Sequence, residues 1–286
     1  MSAPRCDSHV HVVGDAARYP QVRERKFLAG VADLAALQKL AAPYGISRFV
    51  IVQPSFYGTD NSLLLESLDA LGQHGRGVAV VDPAAISREE LADYARRGVR
   101  GLRINIYSQL GEPQALDQTF AAMARLASDM NWHVEIIASI GDLTHNAEML
   151  AKSPAPVVID HYGVYGRYTP ASAEARRLLD LISLPHVWMK LSAPYRVSAN
   201  PIETKPNAAW LAAILERAKD RCVWGSDWPH TPAHETQKGG DILLPYRDLS
   251  YAALADDFLA ALGAAELAEQ IMGENPARLY GFPGSG

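Results

Sequence analysis

The sequence predicts an α/β protein, a (β/α)8 TIM barrel. Three observations carry this: short β-branched apolar runs alternate with longer stretches of helical period, eight such runs can be counted, and no glycine-rich nucleotide turn marks an open doubly wound sheet. A chain of 286 residues suits one barrel, read as a single domain over 1–286 with C-terminal helices at about 251–280.

The eight runs fall near Cys6–Val12, Arg48–Gln53, Gly77–Asp82, Val99–Ile106, Trp132–Ala138, Pro156–His161, Val187–Leu191 and Arg221–Asp227. Each is short and most are rich in Val and Ile, as strands buried on both faces tend to be. Between them, Val31–Ala42, Asn61–Gln73, Arg88–Arg97, Gln114–Met130, Ala171–Ile182 and Asn207–Lys219 place apolar residues three and four apart, the period of a crossover helix. Thr59-Asp60 and Ser87 can cap helix starts, and Gly45 and Gly98 can end helices before a strand. The tail Tyr251–Tyr280 reads as one helix to about Leu262 and another from Ala264, with a break at Asn275-Pro276.

The net charge of −5 comes from mixed signs, and no basic block is present to neutralise a nucleic-acid backbone. No uninterrupted apolar stretch approaches the roughly 20 residues of a membrane span. The start of the chain carries Pro4, Arg5 and Asp7 rather than an apolar leader, so a cytoplasmic location is expected. Cys6 and Cys222 sit in strand-like runs and read as reduced, buried thiols. The expected partner is a small molecule, for a monomer or small homo-oligomer.

In a barrel, chemistry belongs at the C-terminal strand ends. The first run closes on Asp7-Ser8-His9-Val10-His11, and residues two apart on a strand face the same way, so His9 and His11 should point together into the mouth. The sixth run closes on Ile159-Asp160-His161 and the eighth on Gly225-Ser226-Asp227. One such histidine is most simply a hydrogen-bonded core residue; three imidazoles and a carboxylate from three strand ends indicate a site. A carboxylate and histidines can supply base and electrophile for attack by water, while no Gly-x-Ser-x-Gly elbow supplies a serine nucleophile. The same groups are credible zinc or manganese ligands.

Asp-Ser-His-Val-His at 7–11, Ile-Asp-His-Tyr-Gly at 159–163 and Trp-Gly-Ser-Asp-Trp-Pro-His at 224–230 resemble the signatures of the amidohydrolase superfamily. Within it, Val-Gln-Pro-Ser-Phe-Tyr-Gly-Thr-Asp-Asn at 52–61, Val-Asp-Pro at 81–83 and Arg-Gly-Leu-Arg-Ile-Asn at 100–105 resemble the 2-pyrone-4,6-dicarboxylate lactonase-like family, over about Cys6 to Tyr280. The resemblance implies hydrolysis of an acidic lactone without a required metal. It makes Asp227 the general base, His9, His11 and His161 the carbonyl polarisers, and Arg103, Arg196, Ser55 and Tyr57 the substrate-binding residues.

Binuclear relatives add a bridging lysine on the fourth strand; here that strand reads Leu102-Arg103-Ile104-Asn105. A binuclear centre is therefore not expected. No cofactor is expected, and a single divalent metal (Zn or Mn) on His9, His11, His161 and Asp227 is the alternative. His133 and Glu135 lie on the fifth strand, but His133 starts it and should face the far end of the barrel. The resemblance also leads one to expect an arginine where this chain has Gln109 and a tyrosine where it has Ile137, which weakens the case for a second substrate carboxylate. The competing functions are a metal-dependent decarboxylase of an aromatic acid and a non-catalytic binding barrel.

Overall fold

The computed structural model describes residues 4–107, 115–232 and 240–283. Eight strands pair in parallel in chain order: β1 (Arg5–Val10), β3 (Ile46–Val52), β4 (Gly75–Ala79), β5 (Val99–Asn105), β6 (His133–Ile137), β7 (Val157–Ile159), β8 (Val187–Ser192) and β9 (Cys222–Gly225). The sheet curls back on itself where Val10 bridges Trp228 in parallel, with His11 N–H donating to Trp228 O at 2.8 Å and Asp227 N–H to His9 O at 2.9 Å. Two short strands, β2 (Leu28–Ala29) and β10 (Leu243–Leu244), pair with each other outside the barrel.

The strands form because helices cover one face and the barrel interior the other. Every residue of β4, β6 and β8 is buried, which matches the nearly continuous apolar runs of the sequence. Cys6, Val50, Val52, Val78, Val158 and Val223 form one apolar cluster with Tyr280 and Phe282 from the tail. Both cysteines are free and buried.

The crossover helices are α1 (Leu34–Ala41), α2 (Ser62–Leu71), α3 (Arg88–Arg97), α4 (Leu116–Asp129), α7 (Ala173–Ile182) and α8 (Ala208–Ala218). Ser87 closes a capping box with Glu90, and Gly98 ends α3 at φ +105°, a backbone that side-chain-bearing residues resist. Asp60 accepts from Ser62 N–H and hydroxyl at the start of α2. Between β6 and β7 the chain forms α5 (Ile140–His145) and α6 (Ala147–Ala151), which the periodicity does not reveal, because each is too short to repeat an apolar stripe.

The tail runs through α9 (Tyr251–Leu262), α10 (Ala265–Glu269), a π-helical turn at Gln270–Glu274 and α11 (Asn275–Tyr280). The break expected at Asn275-Pro276 is absent. The Asn275 N–H donates to Gln270 O, so the chain stays helical through the π-helical turn into α11, with Pro276 in the first turn after it, and the buried Asn275 side-chain amide donates to Lys219 O at 2.9 Å and Cys222 O at 2.7 Å. Tyr280 then stacks edge-on against His133 at 5.4 Å, at the N-terminal end of β6. His133 therefore packs against the tail at the end of the barrel away from the site, as its place at the start of the strand predicts. Among the described residues, no helix is long and apolar enough to cross a membrane.

Candidate active site

At the C-terminal ends of β7, β8 and β9 the chain turns through left-handed backbone at residues other than glycine: His161 (φ 49°), Tyr162 (54°), Val164 (41°), Ala193 (52°), Asp227 (59°) and His230 (66°). Such conformations are costly for side-chain-bearing residues, and their clustering at three adjacent strand ends marks a place where geometry outranks stability. His161 and Asp227 lie just beyond the last residues of β7 and β9, so these turns aim the two side chains at each other's neighbourhood.

Asp227 is fully buried and accepts at Oδ2 from Tyr195 Oη at 2.6 Å and Arg196 Nε at 2.7 Å. Its Oδ1 lies 3.5 Å from His9 Nε2 and 3.4 Å from His11 Nε2. Burial pushes the carboxyl up, but the Arg196 guanidinium, His161 and His11 outweigh it and hold the group well below the usual carboxylate range. It is ionised at any physiological pH.

The imidazoles differ in setting. His9 is fully buried beneath the cleft floor, edge-on to His11 at 5.0 Å and tilted against His161 at 4.7 Å. Burial first, then Lys190 and His161, holds it well below the ordinary imidazole value, so it is neutral. His161 is pushed down to about 4 by burial, and its Nδ1 is 2.8 Å from Ser192 Oγ. His11 Nδ1 is 2.7 Å from Val52 O. A carbonyl only accepts, so His11 carries a proton on Nδ1.

A polar cleft opens above, lined by His11, His161, Arg103, Arg196, Ser55 and Thr231 with Phe27, Phe56 and Ile137. Arg103 donates from Nη1 to Gln53 O at 2.7 Å, while its buried Nε has no hydrogen-bond partner among the described residues. Arg196 donates from Nη2 to Thr231 Oγ1 at 2.9 Å. The structure thus brings His11, His161, Arg103, Arg196 and Ser55 to one cleft, with His9 and Asp227 directly beneath. Tyr57 differs from expectation: it is buried, its hydroxyl accepts from Gly14 N–H at 3.1 Å, and it is not among the residues lining the cleft. Gln109 lies outside the described residues.

Sequence reading assigned no role to three groups below the floor. Lys190 on β8 forms a short ion pair with Glu135 on β6, and its Nζ is 3.5 Å from Asp160 Oδ1 and 3.1 Å from His9 Nδ1. The fourth barrel strand lacks a lysine, but this one reaches the centre from the seventh. All three are buried, and the signal was present: a lone lysine and a lone glutamate inside apolar strands are rarely buried unless paired. Tyr195, bonded to Asp227, was missed as well.

His9, His11 and Asp227 place ligand atoms within 4.8 Å of one another, as do His9, Asp160 and His161, so by spacing the cluster could hold a metal ion. Hydrogen placement is the stricter test. A metal-bound imidazole donates its other N–H to an acceptor. His11 meets that condition through Val52 O, whereas His9 Nδ1 faces an ammonium, which is no acceptor. His9 therefore does not fit as a ligand.

Residues 6–282 match the family model described as amidohydrolase. Over 291 residues the chain is 30% identical to a 2-pyrone-4,6-dicarboxylate hydrolase of Comamonas testosteroni, covering 98% of this chain and 91% of that protein. It is 28% identical to a 4-sulfomuconolactone hydrolase of Hydrogenophaga intermedia over 277 residues, 96% of this chain and 88% of the relative. A Pseudomonas putida protein assigned as a 2-pyrone-4,6-dicarboxylic acid hydrolase superposes with a TM-score of 0.82 at 28% identity, covering 100% of both chains.

Proposed function

The chain belongs to the amidohydrolase family and is a hydrolase of ester bonds, and from that premise we propose that it opens a small lactone carrying acidic groups, by direct attack of water. Two relatives act on a dicarboxylated pyrone and a sulfonated muconolactone, and the chemistry they share is an anionic lactone. The observation that carries the reading is a buried carboxylate, Asp227, directly under a cleft lined by two arginines and two histidines.

In this reading the Arg103 guanidinium, which lines the cleft, receives an acidic group of the substrate, a charge-assisted bond of the kind arginine makes best. Arg196 and Ser55 line the same cleft and fix the ring. Asp227 Oδ1 takes a proton from water as the water oxygen bonds to the lactone carbonyl carbon. Collapse breaks the bond to the ring oxygen, which leaves with the proton returned by Asp227, giving a hydroxyl and a carboxylic acid whose remaining proton is lost to solvent.

The histidines divide the remaining work. His161 can donate from Nε2 to the developing oxyanion when Ser192 donates to its Nδ1, and losing such a donor costs about 3 kcal/mol. His11 carries a proton on Nδ1 through Val52 O, and its Nε2, 3.4 Å from Asp227 Oδ1, keeps the ring beside the reactive carboxylate. No step calls for a metal.

A panel of mono-carboxylated, dicarboxylated and sulfonated lactones, assayed with and without chelator, tests the reading. Ring opening of an acidic lactone that survives chelation supports it. Carbon dioxide release from aromatic acids, or binding of the lactones without turnover, overturns it.

A further inference from the structure

We infer that Lys190 is a positioning residue that fixes the tautomer of His9, so that His9 holds its proton on Nε2 while its neighbour in the His-x-His pair, His11, holds one on Nδ1. The inference concerns the site of the proposed reaction, but its test is read without substrate, so the two can fail separately.

Lysine offers three donors and no acceptor, so the 3.1 Å contact between Lys190 Nζ and His9 Nδ1 requires a lone pair on Nδ1. The two carboxylates nearest that nitrogen do not compete for it. Glu135 Oε1 is 3.6 Å away and Asp160 Oδ1 is 3.4 Å away, and neither oxygen makes a hydrogen bond among the described residues. Instead both carboxylates hold the ammonium in place, Glu135 through a short ion pair and Asp160 at 3.5 Å. Neutral His9 then carries its single proton on Nε2, which looks toward Asp227 Oδ1 at 3.5 Å.

The consequence falls on the reactive carboxylate. Asp227 Oδ1 has His9 Nε2 at 3.5 Å and His11 Nε2 at 3.4 Å, and neither Oδ1 nor His9 Nε2 makes a hydrogen bond among the described residues, so Oδ1 is left able to accept from water. A metal clamp would need a lone pair at His9 Nε2, where this tautomer puts a proton.

Imidazole proton placement can be read directly by long-range 1H–15N NMR on protein labelled with 15N-histidine, with His9 assigned from the signal lost in His9→Gln. The inference expects a protonated-type nitrogen at Nε2 and a lone-pair-type nitrogen at Nδ1 in the unmodified enzyme. A proton on His9 Nδ1 overturns it, and this arm needs no folded variant at position 190. In Lys190→Met the freed Nδ1 can donate to Asp160 or Glu135, so the tautomer should invert, and affinity for added zinc chloride should rise about tenfold or more by calorimetry. An unchanged tautomer in that variant would also overturn the inference. Lys190→Arg, which keeps a donor, should retain the original pattern.

Discussion

Arg196 Nε and Asp227 Oδ2 stand 2.7 Å apart, the carboxylate fully buried and the arginine half-buried at the cleft, with Tyr195 Oη donating to the same oxygen. The pair joins the cleft's cation to the carboxylate beneath it, so a change at one is felt by the other.

Replacing Arg196 by methionine should therefore act in two ways. Without the guanidinium, the carboxyl of Asp227 rises toward its ordinary range, since burial then meets less opposition. The acid limb of the pH–rate profile should move upward, from well below the usual carboxylate range. Leaving a buried carboxylate uncompensated should also cost about 3–5 kcal/mol in denaturant unfolding. An unshifted acid limb would separate Asp227 from that limb.

Arg103 should carry substrate affinity rather than chemistry. It lines the cleft, and its Nη1 donates to Gln53 O rather than to the reactive carboxylate. Arg103→Gln is expected to raise KM for an acidic lactone by about tenfold or more while changing kcat less, in line with losing a charge-assisted bond of about 1.5–3 kcal/mol. A fall in kcat with unchanged KM would contradict this.

Gly225 ends β9 where β1 crosses it. A methyl group there would lie 2.6 Å from His9 Cβ and 2.7 Å from His9 N, the latter backbone that cannot swing aside. Gly225→Ala should push the two strands apart, cost about 1–3 kcal/mol of stability, and lower activity by displacing His9. Thermal unfolding and turnover measured together check it; an alanine variant with normal values of both would refute the close approach.

Stability should fall as the pH drops from about 6.5 to about 4. His161 and His230 are each pushed down to about 4 by burial, and His9 well below its ordinary value. Over that window the unfolded chain binds protons at these imidazoles and the folded chain does not, a loss of about 1.4 kcal/mol per pH unit per group. Asp7 works the other way: burial raises it to about 6, so below pH 6 the folded state holds a proton that the unfolded state lacks until about pH 4. One aspartate offsets one histidine, and the net slope stays positive. Urea titrations at a series of pH values read it directly.

The barrel was legible because parallel strands buried on both faces leave unbroken Val- and Ile-rich runs, and their ends exposed His9, His11, His161, Arg103 and Asp227 as polar exceptions. What stayed hidden has physical causes. The helices after β6 are only 6 and 5 residues long, below one repeat of the apolar stripe. Tyr57 sits in the right loop, but the 3-10 segment Ser55–Tyr57 decides where its ring goes, and its hydroxyl accepts from Gly14 N–H. Lys190 and Glu135 come from strands two apart in the sheet, and their pairing depends on both pointing inward at the same height, which one strand's sequence does not encode.

The central claim is that Asp227 activates water for lactone opening, and Asp227→Asn tests it most directly. The amide keeps the shape, still accepts from Tyr195 and Arg196, and cannot take a proton. On whichever acidic lactone the unmodified enzyme opens, kcat should fall by about 10²–10⁴-fold while thermal unfolding shows a folded protein. A folded Asn variant with full activity would contradict the account.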